Sequence, residues 1–486
     1  MCEILSEGLA TRPVSRRIDR DPRPRFLRDI SQQLDPIAGC PSLAVPKDHL
    51  AWQIREIVAR LNLESLVAMY SSLGRRGHHP MRVLAVWIYA SLCGVHDSTK
   101  VARLTETDAA YRLLSGGRKI SSSVLRKFRQ RNAELFRRCI AETVKWALAE
   151  GFIKPDELAV DSMRLRAHAS RKAVRTVARS TKRLAELAAT DVATLSAEGR
   201  AKHEQKVTKH RAALRECADA GRSSIVLTNS SATMMKFPDG ASLPGHRVTA
   251  TVAGVSERII IDVLIDAAPT DFGKLPDAVR AARDVLLRCG LPSDARLQVA
   301  ADPGYYSHED LAFAAENRQW VDVLVRGKAQ ANTSDLSRGV FSRARFTIKE
   351  DQSAVCPAGR AMKGPYPQPT GQLKYKGDGC PSCPLRSQCT KGTNYRALYI
   401  HPELDRLHRA MDDRMAQPDA QKRYSQRMPT VEPAFANLEQ TMGFRRSTTR
   451  HPQAVPAEIL LKVLAHNVSR LLARRAVLVV TLAWQF

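Results

Sequence analysis

Leu297-Gln298-Val299-Ala300-Ala301-Asp302-Pro303-Gly304 is the stretch on which the fold turns. Its first five residues form a short apolar run of the kind buried on both faces of a sheet. Asp302 ends the run, and Pro303-Gly304 cannot continue a strand. Upstream lies an amphipathic helix over about Leu275–Leu287, with Ala278, Ala281, Ala282 and Val285 on its apolar side. Strand patterns flank this pair at Ser224–Leu227, Arg247–Val252, Arg258–Ile265 and Val321–Val325, and a shorter one, Glu157–Val160, ends at Asp161. Strands in series, then a helix, then strands again, predict an α/β core with a mixed sheet. Sites in such sheets form at the carboxyl ends of strands, where Asp161 and Asp302 stand.

Working outward, residues 1–45 are rich in Arg and Pro and read as a loosely ordered basic arm. Residues 46–150 have helical periodicity throughout: about Trp52–Leu63, Pro80 to Gly94, Ser98–Leu104, Asp108–Leu114, and a long helix capped by Ser121 that runs through Phe136. The core extends over 151–475. It is interrupted by a basic helical insertion at 171–222, with thirteen Lys or Arg against six Asp or Glu, and by a Gly-, Pro- and Cys-containing insertion at 327–400. Helices return at about Pro402–Ala416, Val431–Met442 and Ala457–Ala473, and 476–486 is an apolar tail, a last strand or packing segment.

The 486 residues carry 76 Lys plus Arg against 49 Asp plus Glu, a formal charge of +27, which predicts a polyanionic partner. An apolar content of 44% is ample for real cores. No apolar run suits a secretory signal or approaches the ~18–20 residues of a spanning helix, so neither secretion nor membrane insertion is expected. Ten cysteines in so long a chain are too few for a disulfide framework, and six are scattered singly.

Glu432 joins the two aspartates as a third acid of interest. It falls in the first turn of the expected helix at 431–442, which Thr430 could cap, and the apolar stripe Val431, Ala434, Phe435, Leu438, Met442 would face the core. Three carboxylates meeting at one sheet end would need divalent cations, and oxygen ligands suit Mg²⁺ or Mn²⁺. The competing reading is plainer: strand-end aspartates form turns, and an early-helix glutamate complements the dipole.

Three ordered motifs resemble the signatures of bacterial insertion-sequence DDE transposases. They are Val160-Asp161-Ser-Met-Arg-Leu-Arg-Ala-His-Ala-Ser170, Ala301-Asp302-Pro-Gly-Tyr-Tyr-Ser-His-Glu-Asp-Leu311 and Tyr424-Ser-Gln-Arg427-Met-Pro-Thr-Val-Glu432-Pro-Ala-Phe435. Gly443-Phe-Arg-Arg446, the stretch Leu227–Lys236 and Gly245-His-Arg-Val-Thr-Ala250 are similar to the family's continuation, and 80–138 resembles its helical amino-terminal domain. The resemblance implies an RNase H-like mixed sheet flanked by helices and preceded by an all-helical DNA-binding domain. It also implies a catalytic triad of Asp161, Asp302 and Glu432 holding two Mg²⁺ or Mn²⁺ ions, with Tyr424 and Arg427 steadying terminal phosphates. Such an enzyme binds its element's ends as double-stranded DNA, cleaves strands and joins the 3′-OH to target DNA. It would work as a homodimer or larger assembly on DNA in the bacterial cytoplasm, at the nucleoid. The chain departs from the pattern at Glu439, where relatives carry Lys, and at Asn229, Ser231 and Arg450-His451. A catalytically weakened DNA-binding repressor and a metal-dependent nuclease are the alternatives.

Cys356, Cys380, Cys383 and Cys389 include a CxxC pair and suit a tetrahedral structural Zn²⁺ site, or else are reduced surface thiols. Arg126, Lys127, Arg129 and Arg131 on the helix after Ser121 suit a recognition helix laid in a DNA groove, and Lys236 is a further DNA-binding candidate.

Overall fold

The computed structural model describes residues 25–35, 39–70, 76–268, 270–327, 341, 343–349 and 351–483. Most of the basic arm, residues 328–340 of the Cys-containing insertion and the last three residues of the tail therefore lie outside the described residues.

Besides two four-residue helices, Pro41–Ala44 and Glu64–Val67, the described amino-terminal residues form six longer ones: α1 (Leu50–Ala59), α2 (Pro80–Leu92), α3 (Ser98–Thr107), α4 (Ala109–Leu114), α5 (Ser122–Arg131) and α6 (Ala133–Ala149). Side-chain acceptors cap most of them, with Asp97, Asp108 and Ser121 each accepting from a first-turn backbone N–H. The expected long helix after Ser121 is two helices, broken at Asn132, whose side-chain amide donates to the Phe128 carbonyl at 2.6 Å. A short polar side chain competing for backbone acceptors is a common way for a helix to end.

The core sheet holds β1 (Leu158–Arg166), β2 (Thr233–Lys236), β3 (Ser242–Ala253), β4 (Ile259–Asp266), β5 (Leu297–Ala301) and β6 (Val321–Val325). Its order is β3-β1-β5-β6, with β2 and β4 both paired to the far side of β3. The β1, β5 and β6 strands are parallel, and β3 runs antiparallel to β1, so the sheet is mixed as expected. The helix expected between β4 and β5 is α9 (Leu275–Arg288). Before it in the chain come α7 (Val177–Ala188) and α8 (Ala197–Asp219), which pack on each other as the basic insertion. Ser224–Val226 is a strand, but it pairs with Val174–Thr176 at the base of that insertion and does not join the core sheet.

Between β5 and β6 lies α10 (His308–Glu316), and after β6 come α11 (Pro402–Ala416), α12 (Pro418–Ser425), α13 (Arg427–Ala436) and α14 (Val455–Ala483). Instead of a strand, 476–483 continues α14. That helix lies against α2, α5, α6 and β4, so one continuous apolar core joins the amino-terminal helices to the sheet. The 341–400 region keeps a small core of its own around Phe346, Tyr375 and Leu398. Among the described residues no helix is long and apolar enough to cross a membrane.

Candidate active site

Strand lengths create the site. Along β3, β1 pairs over nine residues, from Leu158 opposite Ala253 to Arg166 opposite Gly245. Along β5 it pairs only as far as Val160 opposite Ala301. The next residue of each strand is an aspartate, so Asp161 and Asp302 emerge side by side where β5 stops. Pro303 has no N–H to extend the ladder, and the Asp302 carboxylate turns back to accept from the Gly304 N–H at 3.0 Å. Contrary to expectation, Asp161 sits inside a longer strand and does not close a short one.

One guanidinium joins the two acids. Arg427 Nη1 lies 2.9 Å from Asp161 Oδ2, and Arg427 Nη2 lies 3.3 Å from Asp302 Oδ1. Burial pushes the Asp161 carboxyl up to about 6, against the pull of Arg427 and with a further push from the Asp302 charge. Arg427 is itself buried, and its guanidinium is occupied by the two acids. The preceding helix, α12, is fastened to the sheet by Arg423, whose guanidinium donates to the Asp156 and Leu158 carbonyls at 2.6 and 2.9 Å. The Tyr424 ring is half-buried, and the Arg326 guanidinium lies 4.9 Å from its centroid.

Glu432 is not gathered with the pair. Helix α13 starts at Arg427, so Glu432 lies in its middle, and the Thr430 hydroxyl donates to the Gln426 carbonyl at 2.7 Å without capping anything. Five residues past Arg427 is about 140° around a helix, and Glu432 is exposed, with no hydrogen-bond or ion-pair partner among the described residues. Among these residues no three His, Cys, Asp or Glu side chains stand close enough together to hold a metal ion. Pro433 lies inside this helix and cannot donate to the Pro429 carbonyl, which accepts from Arg258 Nε at 3.1 Å instead. A π-helical turn, Asn437–Thr441, follows and carries Glu439, whose half-buried carboxyl is pushed up by burial.

Around the aspartates are groups that the motifs did not single out. Asp271, from the loop before α9, accepts a hydrogen bond from Ser162 and pairs with Arg247. Arg247 is fully buried, donating also to Ser162 Oγ at 2.9 Å and to the Ala268 carbonyl at 2.8 Å. A Cβ on Gly304 would lie 3.1 Å from Asp271 Oδ2 and 3.3 Å from Asp302 Oδ2, so glycine lets two carboxylates approach the same point. Tyr305 is buried under Asp161, and burial together with that acid's charge raises its phenol. The strongest sequence signal for Asp271 was a turn-forming aspartate ahead of a helix, which marks a loop and no more.

The residues fit a divalent cation in one respect: Asp161 and Asp302 already enclose a positive charge, and both offer hard oxygen donors. The four clustered cysteines line one small cavity with Arg360, Arg386 and Arg396, yet no three of their sulfurs are drawn to ligand spacing. On α5, Arg126, Lys127 and Arg131 are exposed. Arg129 corrects the expectation of a DNA contact: it is buried over the Trp87 ring, donates to the His96 carbonyl at 2.7 Å and faces Glu458 at 3.6 Å. The exposed α5 cations Lys127 and Arg131 border a groove of about 1080 Å³ shared with Arg76, Arg118 and Lys119. Lys236, at the end of β2, is exposed.

Two family models match the chain. Residues 355–472 match the Transposase DDE domain, and residues 42–131 match the Transposase domain (DUF772). The first span contains Arg427, Glu432 and the four cysteines; the second contains α5. No curated protein matches the chain. With a DDE segment behind an amino-terminal transposase segment, and the mixed sheet between them, the two matches together support a DDE transposase of the insertion-sequence kind.

Proposed function

We propose that this transposase binds the ends of its own insertion sequence, cleaves DNA strands there and joins the freed 3′-OH to target DNA. The observation that carries the reading is the meeting of Asp161 and Asp302 around one cationic group at the carboxyl edge of β1 and β5. In cleavage, a water oxygen bonds to the scissile phosphorus and the bond to the 3′-oxygen breaks. In joining, that 3′-oxygen attacks a target phosphodiester and displaces the target's own 3′-oxygen. Divalent Mg²⁺ or Mn²⁺ ions would make the attacking oxygen nucleophilic and stabilise the leaving one. Asp161 and Asp302 are the residues to hold them, with Glu432, exposed on the neighbouring helix, as the third carboxylate.

DNA binding rests on the exposed α5 cations Arg126, Lys127 and Arg131, on the groove beside them and on Lys236. Domain boundaries at about 45, 150 and 475 belong to the same reading, as does a homodimer or larger assembly that pairs two ends. Structural Zn²⁺ on Cys356, Cys380, Cys383 and Cys389 is proposed from the donor set; one zinc equivalent lost on Cys383→Ser is the expected result, and unchanged metal content would remove the idea.

A second reading, a weakened relative that binds DNA as a repressor, is favoured by Glu439, a carboxyl at the position where the resemblance leads one to expect Lys. Incubating the protein with Mg²⁺ and labelled element-end DNA separates the readings. Joined products support the transposase, cleavage alone indicates a nuclease, and a shifted band without either indicates the repressor.

A further inference from the structure

Arg427 stands where a cation shared by Asp161 and Asp302 would stand. Its two terminal nitrogens each take one carboxylate, at 2.9 and 3.3 Å. Its Nε is buried with no hydrogen-bond partner among the described residues, so the acids are what hold the guanidinium in place. A divalent ion and this guanidinium need the same oxygens, and both cannot have them. Arginine is never discharged by proton loss, so it can only move away. The neighbouring anion best suited to receive a guanidinium fork is a DNA phosphate, which accepts two parallel hydrogen bonds as a carboxylate does.

We propose that Arg427 is an internal counter-ion that competes with divalent cations for Asp161 and Asp302, and that a DNA phosphate draws it off, so that metal loading and DNA binding reinforce each other. This rests on the reading of the two aspartates as metal ligands. Arg427 acts as a positioning residue: in free protein it keeps the acids together and weakens metal binding, and on DNA it turns to the phosphate. Coupling between two ligands is reciprocal, so metal must tighten DNA binding by the same factor that DNA tightens metal binding.

The test is calorimetric titration of the full chain with Mn²⁺ alone, then with Mn²⁺ in the presence of duplex DNA of arbitrary sequence at low salt. Wild type, Arg427→Gln, Arg427→Lys and Asp161→Asn are compared. Arg427→Gln is expected to bind Mn²⁺ on the order of tenfold more tightly than wild type without DNA, a typical size for coupled sites. DNA is expected to tighten Mn²⁺ binding to wild type and leave Arg427→Gln unchanged. Arg427→Lys, which keeps a charge but loses the fork, should fall between and serves if the Gln variant does not fold. Unchanged or weaker Mn²⁺ binding in the Arg427 variants, with binding lost in Asp161→Asn, overturns the competition while leaving the metal reading intact. Mn²⁺ binding that survives Asp161→Asn undiminished removes both.

Discussion

Arg129 and Arg427 are both buried guanidiniums beside carboxylates, 5% and 7% exposed, yet their surroundings differ. Arg129 belongs to a closed network between the amino-terminal helices and α14. Its partner Glu458 also accepts from the Thr448 N–H at 3.0 Å and the Thr449 N–H at 3.4 Å. Next to them Lys462, fully enclosed and held down to about 7 by burial, donates to Ser91 Oγ at 2.9 Å and His96 Nδ1 at 2.8 Å. Arg427, by contrast, meets acids whose side chains remain 21% and 37% exposed. The charges around Arg129 are enclosed and held from several sides, whereas Asp161 and Asp302 share one guanidinium and keep an opening to water.

The comparison breaks most visibly through paired substitutions. Asp161→Asn or Asp302→Asn should lower DNA cleavage on the order of 10³-fold, the equivalent of about 4 kcal/mol of transition-state stabilisation, with the melting temperature nearly kept. Arg129→Met should do the reverse in kind. It strands Glu458 in the core and should cost about 3–5 kcal/mol in denaturant unfolding. If Arg129→Met unfolds no more easily than Arg427→Gln, the distinction between the two clusters is lost.

A pH series sharpens the same contrast. The folded carboxyl of Asp161 titrates near 6, above its ordinary value of 3.8. Its contribution to stability is therefore full below the ordinary value and declines as pH rises to about 6. Cation binding needs the ionised form and runs the other way, so Mn²⁺ affinity should fall as pH drops through 6. An affinity flat between pH 7 and 5 would show that Asp161 is not a ligand. Smaller effects are expected at the surface. Lys127→Ala with Arg131→Ala should weaken DNA binding and reduce the slope of log affinity against log salt by about two, whereas Arg129 variants that stay folded should leave the slope alone. Glu439→Lys should raise strand joining a few-fold if its carboxyl repels a phosphate; joining at the wild-type rate would discount that departure.

Much of the architecture was legible in the chain. The apolar runs at 297–301 and 321–325 became parallel strands at those residues, because strands buried on both faces need little beyond continuous hydrophobicity. The second half of β1 was missed although its alternation is present, with Met163 and Leu165 buried and Arg164 and Arg166 less so; the run of basic residues obscured it. Arg129 and Asp271 could not be placed from local pattern. Arg129 follows Phe128 on a basic helix, and only the arrival of Trp87 and Glu458 from distant segments makes it a core residue. The facing of Glu432 depended on where its helix starts, and that start moved four residues upstream of the expected Val431 because Arg427 and Arg423 tie the segment to the sheet.

The central claim is that Asp161 and Asp302 are the metal-holding acids of a strand-joining enzyme. The most direct measurement is strand joining of labelled element-end DNA with Mg²⁺ by wild type, Asp161→Asn and Asp302→Asn, each shown to be folded. Joined products from wild type and none from either variant are predicted. Joining that persists in a folded Asp161→Asn or Asp302→Asn variant would contradict the account.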